Sequence, residues 1–284
     1  MAVKVQGMLK DVRDIEDPRV RKLIKAERIK ADTLDLFGEE PPAELMTPYP
    51  LDAEGQERNA SIQKKYAGRP LNIRRSWNRC QLYFPELLST DTPHDVLEMS
   101  TAHGGMLEVL RHFGHNVMGN DYANMVSRRK GQDMSQFRAL NDEDFKRFED
   151  DTGIPIGEGE EPDWPYRHIV EAIELPIRIF DAGHVPYPFE DKSFDVVMCF
   201  QAIEHYCHPR DWMGIVDEFC RLSRKTVFIL LNRLIPEFRA QDDYRAAFDR
   251  FRRDMRGYRK NGFACTGCFV HWDQAYGFKL TAQD

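Results

Sequence analysis

From residue 94 to residue 231 the chain alternates short apolar runs with helix-spaced apolar residues, and this alternation narrows the possible folds more than any other feature. Val96-Leu97-Glu98-Met99 has the length of a strand and runs into small residues. Met106, Leu107, Val109, Leu110 and Phe113 then fall on one side of a helix, which Gly114 closes. Val117-Met118-Gly119 leads to Asp121, and Ile177-Arg178-Ile179-Phe180 leads to Asp181. Phe194 to Phe200 is apolar almost throughout, as a strand buried on both faces requires. Trp212, Ile215, Val216, Phe219 and Cys220 form the next helical stripe, and Thr226 to Leu231 the next strand. Strands that alternate with helices need crossover connections, which give a mostly parallel sheet flanked by helices. The fold class is α/β.

The flanks read differently. Residues 1–90 predict a helical N-terminal extension or cap: a charged helix from Asp17 to Leu36, an extended linker marked by Pro41, Pro42, Pro48 and Pro50, then helices near 60–66 and 76–88. Residues 91–284 form the main domain, with an acidic insertion at 127–176. Residues 141–163 hold ten acids against Lys146 and Arg147, which suits either a solvated surface loop or a lid over a pocket. Tyr244, Phe248, Phe251, Met255 and Tyr258 predict a long amphipathic helix, and Cys268 to Leu280 one or two closing strands.

The net charge of −7 gives no global reason to bind nucleic acid. Residues 221–260 carry twelve Lys or Arg against five acids, but no basic and aromatic alternation accompanies them, so the solvated face of a helix is preferred to an anionic acceptor site. No run of eighteen apolar residues suggests a membrane span and no secretory signal is legible, so the expected location is the cytoplasm. Six scattered cysteines fit a reducing compartment better than a disulfide framework. Cys265-Thr266-Gly267-Cys268, with His271 beyond, supplies too few ligands for a closed zinc site, and two free thiols in a turn are preferred to a metal.

In an open α/β sheet, ligands bind beyond the carboxyl ends of the strands. Four such ends carry suggestive residues. The first is Glu98-Met99-Ser100-Thr101-Ala102-His103-Gly104-Gly105, where small residues admit a ligand to the backbone. The second is Asp121-Tyr122, placed to accept from a ribose diol; the third is Asp181-Ala182, placed at an adenine ring; the fourth is Phe200-Gln201, beside Glu204-His205.

These residues resemble the SAM-dependent class I methyltransferases, in particular the branch acting on small metabolites, quinones and sugars. The family's V-L-D-x-G-x-G-x-G is similar to Val96 through Gly104, its ribose acid falls on Asp121 and its adenine-side acid on Asp181. The stretch from Val185 to Val197 resembles the family's "lPf.d.sFDvV" segment, and Ala202-Ile203-Glu204-His205 its "alEHv". The resemblance covers residues 94–232 and implies a seven-stranded Rossmann-like sheet, S-adenosyl-L-methionine (SAM) as cofactor, and O-methylation of a small molecule or glycan. Glu98, Ser100, Ala102, Gly104, Asp121, Tyr122, Asp181, Ala182 and Phe200 are then the cofactor set, with no metal expected. His205 is the candidate base, against a role in shaping the pocket, and Glu204 its candidate orienting group. His271 and Trp272 are candidates to line the acceptor pocket.

Ser100 and Ala102 replace the first two family glycines, which leaves a non-catalytic SAM-fold binding protein as the alternative. NAD is the rival cofactor, since Ser100, Ala102 and Gly105 also sit at the G-x-G-x-x-G spacing; Glu98, two residues before that turn, argues against it.

Overall fold

A computed structural model describes residues 7–8, 39–60, 68–122, 164, 166–232, 234, 236–271 and 275–283. The charged stretch 17–36, most of the acidic insertion, the side chain of His271, and Trp272 lie outside the described residues. The strands are β1 (Gly7–Met8), β2 (Asp95–Met99), β3 (Asn116–Asp121), β4 (Ile177–Ile179), β5 (Phe194–Phe200), β6 (Ser223–Leu230), β7 (Arg259–Lys260), β8 (Phe263–His271) and β9 (Ala275–Ala282). The helices are α1 (Ala53–Ala60), α2 (Arg69–Tyr83), α3 (Gly105–His112), α4 (Arg167–Ala172), α5 (Trp212–Leu222), α6 (Pro236–Arg239) and α7 (Asp242–Arg256).

The nine strands among the described residues join one sheet in the order β1-β8-β9-β6-β5-β2-β3-β4, with β7 paired to β8. Setting aside β1 and β7, each two residues long, leaves the expected seven. The pairs β2–β3, β3–β4, β2–β5 and β5–β6 are parallel, whereas β9 enters antiparallel to both β6 and β8. The chain winds outward from β2 to β4 on one side and from β5 to β6 on the other. The order therefore reverses between β2 and β5, and a crevice opens at their carboxyl ends.

β5 lies in the middle of the sheet and all seven of its residues are buried. Its pleat feeds two cores. Val197 and Cys199 join the side covered by α5 and α7, while Val196, Met198 and Phe200 join the side covered by α2 and α3. On α7, Tyr244, Phe248, Phe251 and Met255 recur at helical spacing and are all buried. Phe248 and Phe251 meet the edge of Trp212 with centroids 5.9 Å and 5.1 Å away. Each such ring contributes roughly 1.5–3 kcal/mol by leaving water.

Two boundaries differ from the sequence expectation. The helix expected at 76–88 begins at Arg69, where Pro70 suits the first turn, and stops at Tyr83; Pro85–Leu88 continues as a 3-10 turn. The long C-terminal helix stops at Arg256 before Gly257, so Tyr258 is buried just beyond it. α2 spreads Ile73, Trp77, Cys80 and Tyr83 over the sheet face that also holds Val96, Met198, Phe228 and Phe269.

Candidate functional site

The first strand end forms a tight turn. Ser100, Ala102 and Gly104 hold left-handed backbone, at φ 57°, 50° and 74°. A left-handed residue with a Cβ is strained by roughly 1–2 kcal/mol, so the turn keeps a glycine-like path although two glycines are gone. At Gly104 the constraint is stricter: a Cβ there would stand 2.3 Å from Leu175 Cδ1.

Hydrogen bonds tie this turn to the other strand ends. The Ala102 N–H donates to Asp121 Oδ2 at 2.6 Å, and the Tyr122 N–H donates to Oδ1 of the same carboxylate at 2.8 Å. Ser100 Oγ and Tyr206 OH lie 2.6 Å apart, which joins the turn to the chain beyond β5. Asn120 Nδ2 donates to the Phe180 carbonyl at 3.0 Å, joining β3 to the end of β4. Beyond that carbonyl, Asp181 Oδ1 accepts from the Gly183 N–H at 2.8 Å, while the carbonyl of buried Ala182 accepts from Tyr187 OH at 2.7 Å. Phe200, also buried, closes β5.

Burial sets the electrostatics. Glu98 lies within β2, 6% exposed, and its buried Oε2 has no hydrogen-bond partner among the described residues. Desolvation pushes its carboxyl up to about 8, with the Arg79 charge opposing the shift and the Asp121 charge adding to it. Asp121 is pushed up to about 6 and Glu204 to about 7, both mainly by desolvation. Glu98 and Asp121, on the paired strands β2 and β3, are near enough for one charge to raise the other's pKa, and two desolvated carboxyls so placed favour positive charge between them.

Ile203–His205 is a 3-10 turn after β5. Glu204 accepts from the backbone N–H of Asn232 and, at 3.4 Å, from its side-chain amide. Asn232 Nδ2 also donates to the Gln201 carbonyl at 2.8 Å, so Glu204 fastens this turn to the chain just past β6. His205 is half-buried, and desolvation holds its imidazole down at about 4. His103 is buried in the first turn, where its Nδ1 accepts from the Gly105 N–H at 3.1 Å.

Sequence reasoning missed Arg79 and Tyr206. Arg79 Nη2 donates to Gln201 Oε1 at 2.6 Å, and its guanidinium sits 5.1 Å from the Phe200 ring centroid. Nothing local marks Arg79 on a helix with several arginines; only the docking of α2 brings it to the end of β5. Tyr206 directly follows the recognised Glu204-His205 pair and was open to notice. A cavity of about 220 Å³ between the 208–210 turn and α7 is lined by His208, Met213, Asp243 and Phe251, among others, and contains none of the strand-end residues.

The methyltransferase-domain family model matches residues 72–255, from within α2 to near the end of α7. The chain belongs to the class I, Rossmann-like methyltransferases. Among solved structures, this methyltransferase-family chain is similar to a protein from Pyrococcus horikoshii OT3 at 13% identity, covering 74% of this chain and 92% of that one with a TM-score of 0.45. It is similar at 12% identity to the magnesium protoporphyrin IX methyltransferase of Synechocystis PCC 6803 with bound SAH, covering 81% and 95% with a TM-score of 0.42. An Aquifex aeolicus SAM-dependent methyltransferase matches at 11% identity, covering 81% and 100% with a TM-score of 0.41. A search of curated protein sequences gives no match. Among the described residues, no helix is long and apolar enough to cross a membrane.

Proposed function

We propose that this chain is a cytoplasmic SAM-dependent methyltransferase that transfers a methyl group to a hydroxyl oxygen of a small molecule or glycan. The observation that carries this reading is Glu98 in β2, whose buried Oε2 has no hydrogen-bond partner among the described residues and which stands just before a turn that keeps a left-handed path through Ser100, Ala102 and Gly104. A cationic ligand answers the unmet demand of that carboxyl and of its desolvated neighbour Asp121. The same turn weakens the case for a non-catalytic binder, because the lost glycines have not cost the chain their backbone conformation.

Bound SAM supplies a methyl group on a sulfonium, open to in-line displacement. In this reading Asp121 holds the ribose hydroxyls with the acceptor capacity that Ala102 and Tyr122 leave free. Asp181 takes the adenine amino group, the Ala182 N–H a ring nitrogen, and Phe200 forms a wall. Glu98 faces the cationic end. His205 accepts the proton of the acceptor hydroxyl; its lowered pKa keeps it neutral at pH 7. Glu204 acts as a positioning residue through Asn232. In this reading residues 1–90 are an N-terminal extension and residues 91–284 the methyltransferase domain.

Calorimetry with SAM and SAH, followed by a screen of hydroxylated metabolites and glycans with methyl-labelled SAM, tests the proposal. Micromolar binding and label transferred to oxygen are expected. Absence of binding to either ligand would remove the cofactor assignment, while binding without transfer to any acceptor would favour the non-catalytic alternative.

A further inference from the structure

Cys265-Thr266-Gly267-Cys268 lies on β8, far along the chain from the strand-end cluster. In a regular strand, residues three apart point to opposite faces. Here the pairing of β8 with β9 slips by one residue between Cys265 and Gly267, and such a bulge returns the fourth residue to the face of the first. The two Sγ atoms lie 3.7 Å apart as a result. At Gly267, opposite Lys279 after the slip, a Cβ would stand 3.1 Å from Phe269 Cε2, so the bulge packs closely against that ring. Thr266 is exposed, with its Oγ1 2.7 Å from Thr281 Oγ1.

The two thiols differ in setting. Cys265 is partly exposed, whereas Cys268 is buried. The neighbouring Cys268 thiol lowers the pKa of Cys265, and its own is raised in turn. The other four cysteines are buried, and burial pushes Cys199 up to about 12 and Cys220 to about 11. Access and a sulfur partner therefore coincide at this pair, and an accessible thiolate beside a second thiol is the arrangement that thiol–disulfide exchange uses.

We propose that Cys265 and Cys268 form a dithiol site that exchanges with low-molecular-weight disulfides, closing an intrachain disulfide across the β8 bulge. The Cys265 thiolate attacks one sulfur of the small disulfide, forming a mixed disulfide and expelling a thiolate that takes up a proton. Cys268 then gives its proton to solvent and attacks Cys265 Sγ, expelling the second thiolate. Two protein thiols become one disulfide, and the two electrons reduce the small disulfide to two thiols. Closure shortens the sulfur contact to a bond of about 2 Å, a movement within reach of the bulged segment, where the ladder with β9 is locally broken.

The test incubates the full-length folded protein with glutathione at graded ratios of oxidised to reduced form, quenches with acid, alkylates, and maps peptides by mass spectrometry. Wild type should accumulate a Cys265–Cys268 disulfide that reverses when the ratio is reversed. Cys268→Ser should instead retain glutathione on Cys265, and Cys265→Ser should lose both products. The proposal is overturned if wild type keeps both thiols at the most oxidising ratio, or if the disulfide joins other cysteines. It is equally overturned if glutathione persists on wild-type Cys265 without resolution. The wild-type map decides by itself should either variant fail to fold.

Discussion

Replacing Glu98 by Gln keeps the shape of the side chain and removes its charge. In the folded protein the carboxyl titrates near 8 instead of 4.5. A raised folded-state value means that the group's contribution to stability is fully present below pH 4.5 and is lost as pH rises through about 8. At pH 7 the unfolded chain is ionised while the folded site still favours the proton. The gap of 2.5 units between 4.5 and pH 7 then corresponds to on the order of 3 kcal/mol. Urea unfolding of wild type and Glu98→Gln, followed by circular dichroism from pH 5 to pH 9, measures this. The stability of the variant relative to wild type should rise by roughly 1.4 kcal/mol per pH unit between about 5 and 8, then level off. An amide badly matched to the site would add a constant offset without changing that slope. Two parallel stability curves would refute the reasoning, since Glu98 would then titrate alike in both states. The same substitution should lower SAM affinity, because Gln has no proton to release and cannot become the anion that the cationic ligand is proposed to stabilise.

Three further outcomes are expected. Asp121→Ala should weaken SAM binding by about 1.5–3 kcal/mol, the usual worth of a charge-assisted contact; calorimetry showing unchanged affinity would remove its ribose role. His205→Ala should leave SAM affinity nearly intact and reduce turnover by about 10²–10⁴-fold, and the acid limb of the wild-type rate profile should fall near pH 4 instead of near 6.5. A raised KM with little change in kcat would show that His205 only packs the pocket. Ala102→Gly should raise stability by about 1 kcal/mol, since left-handed strain of roughly 1–2 kcal/mol is relieved against a smaller entropic cost in the unfolded chain. Thermal unfolding reads this, and a variant no more stable than wild type would show that the turn carries no such strain.

The sequence by itself determined which segments become central strands and which helix faces turn inward. Apolar spacing along Val96–Met99, Phe194–Phe200 and α7 is a local property, and burial simply obeys it. It also put Asp121 and Asp181 at or just past strand ends, because an acid that closes an apolar run is visible without any knowledge of pairing. The tertiary structure decided everything that depends on residues distant in the chain. That β2 and β5 are neighbours, and so open a crevice between them, follows from the winding of the sheet. Arg79 meets Gln201 only because α2 packs across the sheet face, 122 positions away in sequence. The left-handed path through Ser100 and Ala102 is held by bonds to Asp121 and Tyr206, which outweigh the local preference for glycine. The raised pKa values of Glu98 and Glu204 arise from desolvation, and Cys265 meets Cys268 because of a bulge in pairing with β9. Periodicity states which side of an element is apolar. Which distant groups share the low-dielectric space between elements is set by packing, and packing is a property of the whole chain.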